Sequence, residues 1–121
     1  MPHLTIEISA NLESHVASAD LLGGAHQALL LSGVFDGPDV KSRVVQRNQF
    51  RIGAGGVSEG FVHASLELLA GRTEVVRQQL SQAVVAALMA GLPRGMGFPV
   101  QISCDVREMS RECYSKAIYI E

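Results

Sequence analysis

The chain has 121 residues, of which 47% are hydrophobic, with no tryptophan and a formal net charge of −2. These values predict one domain over residues 1–121 with an aliphatic core, and they argue against disorder. The absence of a basic run argues against a nucleic-acid partner, and the longest apolar stretches are too short to cross a membrane.

The chain start and the two cysteines indicate the cellular compartment in which we expect the protein. No charged region followed by an apolar one stands at the N-terminus, so we expect no signal peptide. Cys104 and Cys113 are too few for a disulfide framework, and a bridge between them is the alternative to two free thiols. We expect a cytoplasmic protein in which both thiols are free.

Met1 and Pro2 stand directly before the first predicted strand. Apolar and polar residues alternate over residues 3–9, and proline is tolerated as the first residue of a strand. Removal of Met1, which a small second residue favours, would turn Pro2 into an N-terminal secondary amine. An α-amino group titrates at about 7.7–8.0, so modest burial or a nearby cation would suit it to general base catalysis.

The following segments complete a first β-α-β unit. We predict a helix over residues 19–32, a turn over 34–39 and a second strand over 40–49. One face of that strand carries three cations, Lys41, Arg43 and Arg47. Taken alone, this pattern is typical of a solvated sheet face.

A second unit of the same outline follows a glycine-rich turn at residues 53–56. We predict a strand over 60–69, a helix over 74–90, a loop over 92–98, a strand over 100–107, a turn or short helix over 108–113 and a last edge strand over 114–120. The helix is the clearest of these elements, since Thr73 is a good N-cap and Gly91 and Pro93 end its apolar stripe.

The resulting order, β-α-β-β-α-β, predicts an α+β fold made of two pseudo-repeated halves. Each β-α-β unit gives parallel neighbours, while the hairpin between the units makes the four-stranded sheet mixed. Both helices are expected on one face. The other face needs cover, so we expect an oligomer.

Most kinds of catalytic site lack support in the sequence. There is no G-x-S-x-G motif, Cys104 is expected to point inward, and the four histidines are too scattered for a metal site. Glu7 and Glu67 are expected to form ion pairs rather than a paired-carboxylate site. The Pro2 amine therefore remains, with Lys41, Arg43 and Arg72 suited to a substrate that carries carboxylates.

Several short motifs, in this order and spacing, resemble the tautomerase superfamily and, within it, the 5-carboxymethyl-2-hydroxymuconate isomerase family. They are Pro2-His3, Gly33-Val34-Phe35, Lys41-Ser42-Arg43-Val44, Phe61-Val62-His63, and Gly71-Arg72 followed by Arg77-Gln78-Gln79. The resemblance covers nearly the whole chain and implies a tautomerase/MIF-like fold assembled as a homotrimer.

The resemblance also implies a cofactor-free isomerase of aromatic acid degradation, such as that of homoprotocatechuate. Pro2 matches the catalytic proline and Arg72 matches a family arginine. Lys41 stands where the family usually has an arginine, and Lys offers a point charge in place of a bidentate fork. Either Lys41 binds a carboxylate less rigidly, or Arg43 takes over part of its role, or the substrate is a different one. The implied substrate is a small dicarboxylate or tricarboxylate.

Two alternatives remain open at this point. The same amine would serve another reaction of the superfamily, namely a keto–enol tautomerase, a decarboxylase or a hydratase-type dehalogenase. The other alternative is a catalytically silent oligomeric binding protein, which retention of Met1 would favour.

Overall fold

A computed structural model of the protein describes residues 1–56 and 58–121. Its main elements are β1 (His3–Ser9), α1 (Ser18–Leu31), β2 (Lys41–Arg47), β3 (Gly60–Leu69), α2 (Glu74–Gly91) and β4 (Val100–Met109). Short 3-10 turns occupy Ala10–Leu12, Gly37–Asp39 and Arg111–Cys113. The β-α-β-β-α-β order is confirmed. The ends of these six elements differ from the predicted ones by one or two residues at most.

The four strands form one mixed sheet in the order β2-β1-β3-β4. β1 pairs with β2 in parallel, β3 pairs with β4 in parallel, and the two central strands β1 and β3 run antiparallel. In this register His3 lies between Lys41 of β2 and Glu67 of β3. The start of the chain is therefore held at one end of the sheet, among the start of β2 and the last residues of β3.

Alternate residues of the central strands form the core, which explains why the sequence alternation located them so well. The buried residues are Leu4, Ile6 and Ile8 of β1 and Val62, Ala64, Leu66 and Leu68 of β3. The helices contribute Leu21, Ala25 and Leu29 from α1 and Leu80, Val84 and Leu88 from α2. Because these residues belong to one cluster, both helices pack on the same face of the sheet, as predicted.

The opposite, open face of the sheet carries polar side chains. Arg47 forms an ion pair with Glu7 at 2.6 Å, and Arg107 forms one with Asp105 at 2.8 Å. His63 Nδ1 lies 2.7 Å from Ser103 Oγ, a structural hydrogen bond between β3 and β4. The cations of β2 thus lie on a polar sheet face.

The predicted strand over residues 114–120 is wrong. Arg111–Cys113 forms the short turn expected there, but no regular element follows it in the C-terminal tail, residues 114–121. The β-branched and aromatic residues of the tail indicate β propensity, yet a strand also needs a ladder partner. Within this chain the edge strands do not supply one, and Ile118, Tyr119 and Ile120 are exposed.

Two further properties concern the whole described chain. No helix in residues 1–56 and 58–121 combines the length and the apolar character that a membrane span requires. Cys104 and Cys113 are both free thiols, as predicted.

Candidate active site

Pro2 lies at the end of the sheet directly before β1, and its side chain is fully buried. Its carbonyl accepts a hydrogen bond from the backbone N–H of Lys41 at 3.1 Å. The β1–β2 ladder therefore fixes the position of Pro2. In a chain that starts with Met1, the Pro2 nitrogen is an amide without basicity, and the free amine is that of Met1.

The Met1 amine and the Lys41 side chain are both held by Asp39. It donates a hydrogen bond to the backbone carbonyl of Asp39 at 3.0 Å, and Lys41 Nζ donates to the same carbonyl at 2.7 Å. Burial, followed by the positive charges of Lys41 and Lys116, lowers the pKa of this amine to about 6, against the opposing charge of Asp39. An amine with that pKa is mostly neutral at pH 7 and can accept a proton.

Sequence reasoning missed Lys116 and Asp39. Lys116 Nζ donates to Asp39 Oδ1 at 3.1 Å across a separation of 77 residues. Neither residue belongs to a periodic pattern or a motif, so no signal in the sequence pointed to this pair.

Arg43 lies beside the first residues of β1. Its guanidinium donates to Thr5 Oγ1 at 3.2 Å and approaches His3 Nδ1 at 2.7 Å. Burial and the neighbouring Arg43 lower the pKa of His3, so its ring favours the neutral form, which accepts this hydrogen bond on Nδ1. Lys41 and Arg43 are thus both close to the chain start.

Arg72 lies in the link between β3 and α2 and contacts the connection between α1 and β2. Its guanidinium lies 5.2 Å from the centroid of the Phe35 ring and donates to the Val34 carbonyl at 3.4 Å. These contacts are at the start of the connection between α1 and β2, whereas the N-terminal amine contacts Asp39 at its end. The contacts described for Arg72 do not include Pro2 or Lys41. The connection between α1 and β2 links Arg72 to the N-terminal amine, since it contacts Arg72 at its start and the amine near its end. Phe35 as the support of Arg72 was not predicted.

Other chemistries find little support in the described residues. No three His, Cys, Asp or Glu side chains among them are close enough to hold a metal ion. Burial, followed by the charge of Asp105, raises the pKa of the Cys104 thiol to about 12. This thiol stays protonated near pH 7, which makes it a poor nucleophile.

Comparisons with known proteins identify the family and the fold of the chain. The 5-carboxymethyl-2-hydroxymuconate isomerase family matches residues 2–120. No curated protein sequence matches the chain. Among solved structures, a 5-carboxymethyl-2-hydroxymuconate isomerase from Deinococcus radiodurans R1 is similar with a TM-score of 0.86 and 24% identity, over 96% of this chain and 88% of that chain.

Two further structures share the fold. A 5-carboxymethyl-2-hydroxymuconate delta-isomerase gives a TM-score of 0.81 at 22% identity, over 98% of this chain and 89% of that one. A fused 4-OT wild type symmetric trimer, Q0, gives 0.76 at 20% identity, over 95% and 91%. The expected tautomerase-like fold is confirmed. The chain is an isomerase that belongs to the 5-carboxymethyl-2-hydroxymuconate isomerase family.

Proposed function

We propose that this isomerase uses the amine of Pro2, freed by removal of Met1, as the general base that shifts a proton in 5-carboxymethyl-2-hydroxymuconate. The observation that carries the proposal is the environment of the chain start. The Met1 amine lies among Lys41, Lys116 and Asp39, and its pKa is lowered to about 6. The Pro2 amine would lie one residue further along the same ladder, where the same cations favour its neutral form.

In the proposed mechanism the neutral Pro2 amine takes the proton of the 2-hydroxyl group. The electron pair left on that oxygen moves into the conjugated chain, so the 2-oxo group forms as a carbon further along becomes nucleophilic. The Pro2 ammonium then returns the proton to that carbon, and the base is regenerated. Cations beside the 2-oxygen stabilise the negative charge that it carries in between.

Lys41, Arg43 and Arg72 are proposed to bind the substrate carboxylates. Arg72 has five N–H donors, and its contact with the Val34 carbonyl leaves others for a ligand. The Lys41 ammonium similarly has three donors, one of which points to the Asp39 carbonyl. A guanidinium held on the Phe35 ring is a more rigid partner for a carboxylate than a lysine ammonium.

The proposal extends to assembly, location and pathway. We propose a homotrimer, because the fold is shared with a fused 4-OT wild type symmetric trimer. We also propose that it acts in the cytoplasm, in the degradation of aromatic acids such as homoprotocatechuate. Light scattering behind size exclusion should give three times the chain mass of 12.9 kDa, and a monomer would contradict the trimer.

The decisive experiment combines intact mass with a proline substitution. The natural protein should lack Met1, and Pro2→Ala should lower turnover of 5-carboxymethyl-2-hydroxymuconate by roughly 10²–10⁴-fold, the usual contribution of a general base. Pro93→Ala is the matched control, since Pro93 lies in the loop before β4 at the opposite end of the sheet. Full turnover by a folded Pro2→Ala variant would refute the proposal.

A second candidate function is another reaction of the superfamily on a small 2-oxo or unsaturated acid. Lys41 favours it, because this position usually holds an arginine in the family that the chain resembles. A panel of 2-oxo acids, enols and haloacrylates separates the two candidates. The preferred substrate is the one with the largest kcat/KM that Pro2→Ala abolishes.

A further inference from the structure

The C-terminal tail is tied to the chain start by an ion pair that sequence reasoning did not anticipate. Lys116 Nζ and Asp39 Oδ1 are 3.1 Å apart, and their side chains are 38% and 40% exposed. A half-exposed ion pair of this kind contributes little to stability. Stability therefore does not account for this ion pair, and its position next to the N-terminal amine points to a role in the electrostatics of that amine.

Asp39 connects three positive groups through two different atoms. Its backbone carbonyl accepts from the Met1 amine at 3.0 Å and from Lys41 Nζ at 2.7 Å. Its carboxylate holds Lys116. One residue of the turn before β2 thus gathers the N-terminal amine, a cation from β2 and a cation from the tail.

We propose that Lys116 is a positioning residue of the active site: the C-terminal tail, fastened to Asp39, supplies an ammonium that sets the charge balance around the N-terminal amine. The assignment of this amine as the catalytic base rests on the proposed function above. The geometry of the cluster around Asp39 is independent of that function.

The charged groups around the amine act with opposite signs. Lys41 from β2 and Lys116 from the tail disfavour its protonated form, and Asp39 from the turn favours it. The next groups along the sheet are His3 of β1, Arg43 of β2 and Glu67 of β3. Burial, then Arg43, the N-terminal amine and Lys41, lower the pKa of His3, while Glu67 raises it. Loss of Lys116 should therefore raise the pKa of the amine, and loss of the Asp39 charge should lower it.

These opposite signs separate an electrostatic role from a merely structural one. Lys116→Met and Asp39→Asn both break the same ion pair, so loosening of the tail would move both variants in the same direction. The charge balance instead predicts shifts of about half a pH unit in opposite directions, since charges several ångströms apart near water interact at about that strength. Lys116→Arg keeps the cation and should restore the original value.

The shift is measured directly by nitrogen-15 NMR titration of protein labelled at proline, because only an N-terminal proline has a titrating nitrogen. If Met1 is retained, the same titration is followed on a methionine-labelled sample. Arg94→Gln removes one positive charge in the loop before β4, at the other end of the sheet, and should leave the pKa unchanged.

The pH profile of turnover gives the matching readout. The acid limb should move to higher pH in Lys116→Met and to lower pH in Asp39→Asn. Unchanged titration in both variants, or shifts of the same sign, would overturn the proposal for Lys116. Undiminished turnover of Pro2→Ala would instead overturn the proposed function, whatever the titration shows, so the two failures are distinguishable.

Discussion

The two halves of the chain, β1-α1-β2 and β3-α2-β4, share one topology and carry different chemistry. In each half two parallel strands are joined by a helix, and both helices pack on the same core. The open faces differ. In the first half His3 is paired with Lys41, whereas in the second the corresponding pair is Phe61 with Gln101.

The starts of the two central strands differ in the same way. Buried Pro2 precedes β1, with the Met1 amine, Lys41 and Lys116 nearby. β3 instead starts with buried Gly60, where an added Cβ would lie 2.9 Å from Leu12 and 3.2 Å from Phe98. The start of β3 is therefore closely packed by apolar side chains, whereas the start of β1 is surrounded by charged groups. Apolar alternation builds the repeated fold, and the site uses positions that the core leaves free.

The largest expected effect tests whether the two halves contribute equally to the core. Ile6→Ala in β1 and Leu66→Ala in β3 each remove a fully buried side chain and should each cost about 2–5 kcal/mol of unfolding free energy. Urea unfolding at one fixed protein concentration measures both. Thr5→Ala on the open face is the control with a small effect, and a large cost in only one half would break the equivalence.

A smaller effect should show that the open face of β2 is specialised near Pro2. Arg43→Gln should raise KM for the carboxylated substrate about tenfold, the effect of losing one charge-assisted hydrogen bond of ~1.5 kcal/mol. Arg47→Gln removes the same charge from the far end of the same strand, where Arg47 is paired with Glu7. Equal changes in KM for the two variants would mean that general charge, and not position, governs binding.

The smallest effect concerns the helix starts. The Thr73 hydroxyl caps α2 by accepting from the Val76 N–H at 3.2 Å, whereas Ala17 starts α1 without a side-chain cap. Thr73→Ala should therefore destabilise the protein by about 1 kcal/mol, and Ala17→Ser should stabilise it by up to about as much. Thermal unfolding followed by circular dichroism detects both. Shifts of the same sign would show that the caps do not explain the difference between the helices.

Local pattern was enough to predict most of the fold and part of the site. Alternation located β1 and β3 and put Lys41 and Arg43 on one face of β2. The parallel pairing of β2 with β1 then brings these two cations close to the chain start. The pair of Lys116 and Asp39 escaped because it joins two non-periodic segments that only the folded chain brings together. The tail strand over residues 114–120 was wrong for a related reason, since β propensity does not identify a ladder partner.

The connection between α1 and β2 has a geometric consequence. Its first residues support Arg72 through Val34 and Phe35, and its last residue but one, Asp39, holds the amine and Lys41. One inserted residue can lengthen such a segment by up to about 3.3–3.6 Å, which is more than two carbon–carbon bonds of an extended acid. In the proposed mechanism the length of this connection therefore sets how far the Arg72 guanidinium lies from the N-terminal amine.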